Sequence, residues 1–263
     1  MPAHTWTRPR LIPNATLRAA IIGGVLVYLV LAIGSLEINW SRIAQGFEKG
    51  WRLLLAFLHP NFGARWGEIV AGMRESLTMT VCATVAGVAL SIPIGIGAAR
   101  NLVHPAIYYL CRGIVAVSRS LQEIIVAILF VAMVGFGPFA GFLTITFATI
   151  GFLAKLLAED IEDIDGAQVE AIAAAGGSWL QRLEYAVRPQ VMPRLIGLCL
   201  YRLDINFRES AVVGIVGAGG IGAKLNTAID RYEFDVAAAI LAIIIVIVML
   251  AEYSSGYLRK WAQ

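Results

Sequence analysis

Runs of almost unbroken apolar residues recur along the chain, at about 19–36, 77–99, 139–157 and 236–253. Each approaches the roughly 20 residues that carry a helix across about 30 Å of hydrocarbon. Inside a bilayer every backbone N–H and C=O must be satisfied by the protein itself, which leaves helices or a closed β-barrel. A barrel demands alternation over short segments, and these runs are continuous. Hydrophobic residues make up 59% of the 263 residues, more than a soluble domain of this length has use for. Two weaker stretches complete the set. One covers 121–134 and closes at Gly135-Phe136-Gly137-Pro138; the other begins near Val191 and is interrupted by Arg202, Asp204, Arg208 and Glu209. The expected fold class is an all-α membrane protein with about six transmembrane helices.

Residues 1–18 are polar and carry Arg8, Arg10 and Arg18. A cleaved signal peptide would share that start, but the apolar run is long for one and Ile33-Gly34-Ser35 is a poor cleavage site, which favours an uncleaved first span. In the mixed stretch that follows, Trp51, Leu54, Leu55 and Leu58 share one helical face, as in a helix lying at an interface or on the protein's own outer face. Residues 106–117, with Arg112, read as a second such piece. The expected division is 1–70, a transmembrane anchor plus an interfacial amphipathic segment, and 71–263, a core domain. Six spans place both termini on one side. Arg8, Arg10, Arg18, Arg100, Arg112, Lys155, Arg182, Arg188, Arg194, Arg259 and Lys260 then fall inside, in line with the positive-inside tendency, although Arg42, Lys49, Arg52 and Arg65 fall outside. The small net charge of +3, spread between spans, speaks to topology rather than to nucleic acid.

Several chemistries find no support. Cys82, Cys111 and Cys199 lie apart in apolar surroundings and read as small buried hydrophobes, and His4, His59 and His104 are scattered, so no local ligand set for a metal exists. No phosphate-binding Gly-x-x-x-x-Gly-Lys-Ser/Thr loop occurs, so nucleotide chemistry belongs to another chain. Gly217, Gly219 and Gly222 spell Gly-x-Gly-x-x-Gly but lack the strand–helix–strand context of a dinucleotide site. Tight turns or close helix approach explain them better.

Charged residues inside spans are costly and therefore informative. Arg119 and Glu123, four apart, would meet on one helical face, as would Arg202 and Asn206; Arg202 and Asp204 would not. Such groups either line a path for an anionic solute, with guanidinium forks facing oxyanions, or pair with one another to lock helices together. An ion-coupled secondary carrier built on Arg119, Glu123, Asp204 and Arg208 is a rival reading, though no inverted repeat supports it. An intramembrane enzyme using Ser118 or Ser210 lacks a histidine within any span.

The segment Glu170-Ala171-Ile172-Ala173-Ala174-Ala175-Gly176, followed by Pro189 and Pro193, is helix-prone, small and polar at its head. It resembles the cytoplasmic coupling loop of bacterial ABC importer permeases, with Glu170, Ala171 and Gly176 in register and only Pro189 kept from the loop's ending. Tyr201-Arg202, Asn206, Arg208 and 212–222 look like the signature of phosphonate-importer permeases. Arg119 with Glu123, 135–141 and 185–193 are similar to the same family. The resemblance implies a type I ABC importer (MetI-like) permease fold in the bacterial cytoplasmic membrane. It implies a homodimer with the path on its two-fold axis, an extracytoplasmic phosphonate-binding protein, and two separate ATP-binding subunits that hold ATP and Mg. No cofactor is expected in this chain and no nucleic-acid partner. Coupling would fall to Glu170, Ala171, Ala174, Gly176 and Pro189 within 166–193. Candidate path residues are Arg119, Glu123, Arg202, Asn206 and Arg208. Glu170 is expected near the start of its helix, where the dipole favours a carboxylate.

Overall fold

The computed structural model describes residues 14–36 and 39–262. Arg8 and Arg10 lie outside the described residues, as do the side chains of Lys49, Leu53, Arg259 and Lys260. All regular structure among the described residues is helical. The chain divides into two compact units, 1–54 and 55–263.

In the first unit, α1 (Ala15–Gly34) starts at Asn14, whose side chain accepts from the Thr16 amide at 3.1 Å. Its 20 residues span about 30 Å, and none is buried, as suits a helix apolar on all sides. The amphipathic α2 (Trp40–Phe57) follows, with Trp51 and Leu54 both exposed.

The second unit is built around α3 (Trp66–Gly97) and α6 (Pro138–Glu162). Small residues let them approach: a Cβ on Gly87 would stand 2.5 Å from Thr149, and one on Gly95 would stand 2.9 Å from Leu157. Close backbone contact of this kind replaces the hydrophobic drive that lipid does not supply. Around this pair lie α4 (Pro105–Ser120), α5 (Glu123–Val134), α7 (Gly166–Ala174), α8 (Trp179–Arg182), α9 (Arg188–Val213), α10 (Gly220–Asp230) and α11 (Phe234–Ala262). At the start of α3, Arg65 grips Glu233 with contacts of 2.7 and 2.8 Å, and this hydrogen bonding raises the guanidinium above its ordinary pKa. Asn61 reaches Asp235 through backbone and side chain, so the entry to α3 is tied to the entry to α11.

Among the described residues, four helices are long and apolar enough to cross a membrane alone, and six crossings result only if two bent pairs each count as one. A clean third span over 121–134 does not form. The 12 residues of α5 reach about 18 Å, short of the hydrocarbon thickness, and α4 meets α5 at 97°. The second bent pair joins 179–218 to α10 at 56°. There the glycine run does its work at the crossing: Gly217 and Gly219 adopt φ of 96° and 75°, and a Cβ on Gly222 would collide with the Ala211 carbonyl oxygen. No strand flanks these glycines among the described residues. Cys82 is exposed and Cys111 and Cys199 are half-buried, so none is the fully buried small hydrophobe expected.

Candidate functional site

The helix that carries Glu170 is a short strut. Asp165 caps α7 by accepting from the Ala167 amide at 3.0 Å, and the first turn holds no acidic residue. Glu170 therefore sits mid-helix rather than at the dipole's positive end, and Asp165 takes that place. The strut closes at Gly176, with φ of 78°, a backbone state that glycine adopts freely, while the Gly177 amide donates to the Ile172 carbonyl at 2.9 Å. Ser178 and Gln181 cap α8 reciprocally. The chain then passes through a π-helical turn, Leu183–Val187, before Pro189, which has no N–H to give.

No residue of α7 is buried, yet both of its flanks are tied to the spans. The Asp165 amide donates to Gln190 Oε1 on α9 at 2.9 Å, and Trp179 Nε1 donates to the Leu102 carbonyl, between α3 and α4, at 2.8 Å. Nearby ion pairs brace the same end: Arg112 bonds both Glu162 oxygens at 2.9 and 3.0 Å, and Arg194 meets Asp160 at 3.0 Å. Arg188 pairs with Glu184. Glu170 and Ala171 face outward, as do Ala174, Gly176 and Pro189. Among the described residues Glu170 makes no ion pair.

Halfway along the spans lies a second polar group. Arg202 on α9 is buried and meets Glu209 Oε2 at 2.9 Å and Glu123 Oε1 at 3.2 Å. Its Nε lies 3.3 Å from Thr149 Oγ1 on α6, and its guanidinium lies 5.3 Å from the Phe152 ring centre. One turn on, the fully buried Asn206 donates to Thr84 on α3 at 2.8 Å and to Thr149 at 3.0 Å, so a single amide joins three helices. A fixed guanidinium between two carboxylates and a ring is well satisfied, as a charge at this depth must be.

Arg119 and Glu123 do not share a helical face. Arg119 lies in the last turn of α4, Glu123 begins α5, and the elbow between them turns through an extended Leu121 at φ −92° and ψ 129°. Glu123 pairs with Arg202 instead. Arg119, Glu123 and Arg202 nevertheless line one cavity of about 170 Å³, walled also by Phe147, Ala148 and Phe152. Asn206 and Arg208 are not part of that wall. Arg208 is half exposed and meets Asp204 at 3.0 Å, while Asp204 itself is buried with one carboxylate oxygen unpartnered. Sequence reasoning names Glu209 only as a charge that interrupts its span, without pairing it to Arg202, and it misses Thr84 and Thr149. The spacing of 202, 206 and 209 already places Glu209 on the Arg202 face, whereas nothing local singles out the two threonines. No trio of potential metal ligands gathers among the described residues.

Comparison with known proteins agrees with this geometry. The family described as binding-protein-dependent transport system inner membrane component matches residues 91–262. The phosphate-import permease protein PhnE of Mycolicibacterium smegmatis is 42% identical over 241 residues, 91% of this chain. The chain spans only 45% of that relative's length. The phosphite transport system permease protein PtxC of Stutzerimonas stutzeri is 35% identical over 92% of this chain and 88% of its own. In fold, the chain is similar to the MetNI methionine ABC transporter in an inward-facing conformation. The TM-score is 0.62 at 23% identity, over 74% of this chain and 96% of that one.

Proposed function

This chain belongs to the family of binding-protein-dependent transport system inner membrane components, and on that premise we propose that it is the membrane-spanning subunit of an ATP-driven importer of phosphorus oxyanions. The substrate class rests on its relatives, a phosphate-import permease and a phosphite transport system permease. Coupling to ATP rests on one observation: no residue of α7 is buried, and Glu170, Ala171 and Ala174 are exposed, while its two flanks are hydrogen-bonded to the spans.

A strut of that kind transmits motion. Two copies of the chain line a path on their shared axis, and each α7 docks on a separate ATP-binding subunit. Ala171 and Ala174 permit a close fit, and Glu170 offers a charge that makes no ion pair among the described residues. ATP and Mg are held by those subunits, and a binding protein delivers solute on the outer side. Closure of the ATP-binding pair pulls on α7, and its ties to Gln190 and Leu102 carry the displacement to α9 and to the α3–α4 junction. The pull biases an existing inward–outward equilibrium, because docking differs between the two states. Both termini then lie in the cytoplasm.

The direct test is co-purification in mild detergent with the cognate ATPase, followed by ATP hydrolysis and uptake in proteoliposomes, with and without Glu170→Arg. The expected outcome is a folded variant that loses coupled uptake entirely. Uptake that survives the charge reversal would refute docking through α7.

A further inference from the structure

We propose that the cavity at the elbow between α4 and α5 is a weak subsite for a small oxyanion, with Arg119 supplying the free guanidinium and Arg202 serving as the internal brace that shapes it. This inference rests on the importer reading above and names the place where the solute meets the chain.

The position is the first argument. Ser118 hydrogen-bonds the Phe147 carbonyl at 2.7 Å, and Phe147, Ala148 and Phe152 lie around the midpoint of α6, so the cavity sits at mid-span depth. Backbone that leaves helical geometry at that depth is tolerated only where protein covers it or where it lines a water-filled cavity. Of the two extended elbow residues, Leu121 lines such a cavity. Interrupted helices near the bilayer centre are also where carriers tend to hold solutes.

The chemistry is the second argument. Arg202 is buried and both of its forks are occupied by Glu123 and Glu209, so it has little left to offer a solute. Arg119 is exposed, lines the same cavity, and has no hydrogen bond or ion pair among the described residues. Its planar fork is free to bind an oxyanion through two parallel contacts. Glu123 lines the same cavity and repels the same anion, which keeps the site weak and lets solute leave. Size is the third argument. About 170 Å³ is below the roughly 300–1,000 Å³ of pockets for drug-sized ligands, yet ample for a small oxyanion. The Phe147 and Phe152 walls suit a short apolar substituent on phosphorus, with the oxygens turned toward Arg119.

The test uses the complete importer in proteoliposomes, with loaded binding protein outside and phosphite, methylphosphonate or phenylphosphonate as the probe. Arg119→Gln is expected to lower uptake of all three by about tenfold, the loss of one hydrogen-bonded charge contact, with an unchanged melting temperature. Arg119→Lys, which keeps the charge, is expected to recover part of that loss. Ala148→Leu, which narrows the cavity, is expected to depress phenylphosphonate uptake more than phosphite uptake. Full uptake in Arg119→Gln, or an equal effect of Ala148→Leu on all three probes, would overturn the subsite. If the unsubstituted importer carries none of the three, the substrate reading itself fails, and that result is separate from the behaviour of Arg119.

Discussion

Arg202 lies 4% exposed among two carboxylates, a threonine hydroxyl and a phenyl ring, whereas Glu170 sits midway along a helix without one buried residue and makes no ion pair among the described residues. Both are ionisable groups in a chain dominated by apolar residues, yet their settings assign them opposite tasks. The buried cation is fully satisfied from within, and its role is to hold α5, α6 and α9 in one arrangement. The exposed carboxylate contributes nothing to internal packing, which leaves it available for the docking proposed above. A charge satisfied inside the fold supports structure; a charge placed on a rigid strut and left open is available for coupling.

Substitutions can break this contrast. Glu170→Arg should show the largest functional effect, complete loss of coupled uptake, with no shift in melting temperature. Arg202→Met should show the largest effect on stability. Removing one partner of a buried ionic group strands Glu123 and Glu209, and such losses run to about 3–5 kcal/mol. Thermal unfolding in detergent should then fall by roughly ten degrees or more.

Asn206→Leu should cost less, although Asn206 is the more deeply buried residue. Thr84 and Thr149 keep their own bonds to the Thr80 and Ile145 carbonyls, so no hydroxyl is stranded. Interhelical hydrogen bonds in membranes average about 0.6 kcal/mol, which puts the loss near 1 kcal/mol and a few degrees of melting temperature. A larger drop for Asn206→Leu than for Arg202→Met would show that the amide, not the guanidinium, holds the bundle together. Trp179→Phe is the mildest. It removes one bond to the Leu102 carbonyl, worth about 1 kcal/mol, and should speed amide exchange in α7 and α8 while leaving that of α3 and α6 unchanged.

Much of this contrast could be read before any coordinates. Continuous apolar runs require membrane helices, and the small-residue segment from Glu170 to Gly176 stands out between them as a short helix with a glycine stop. The elbow at Leu121 and Gln122 could not be read that way, because neither glycine nor proline marks it. Helical spacing therefore joins Arg119 to Glu123, even though 106–117 and 121–134 read as separate pieces. The placement of Glu170 erred for a related reason: Asp165 is the better cap, and a capping side chain outcompetes a carboxylate further along the helix.

By itself the sequence determined the helical membrane class, the strut with its stop at Gly176, and the presence of charges inside spans. These follow from local periodicity and backbone chemistry, which depend on neighbours in the chain. Only the tertiary structure decided which charges pair. Gly151 on α6 leaves room for Ser118, whose hydroxyl bonds the Phe147 carbonyl at the point where α4 turns into α5. That packing carries Glu123 to Arg202, 79 residues away, and leaves Arg119 open on the cavity wall. A contact over such a separation is set by how helices pack, and spacing along the chain holds no record of it.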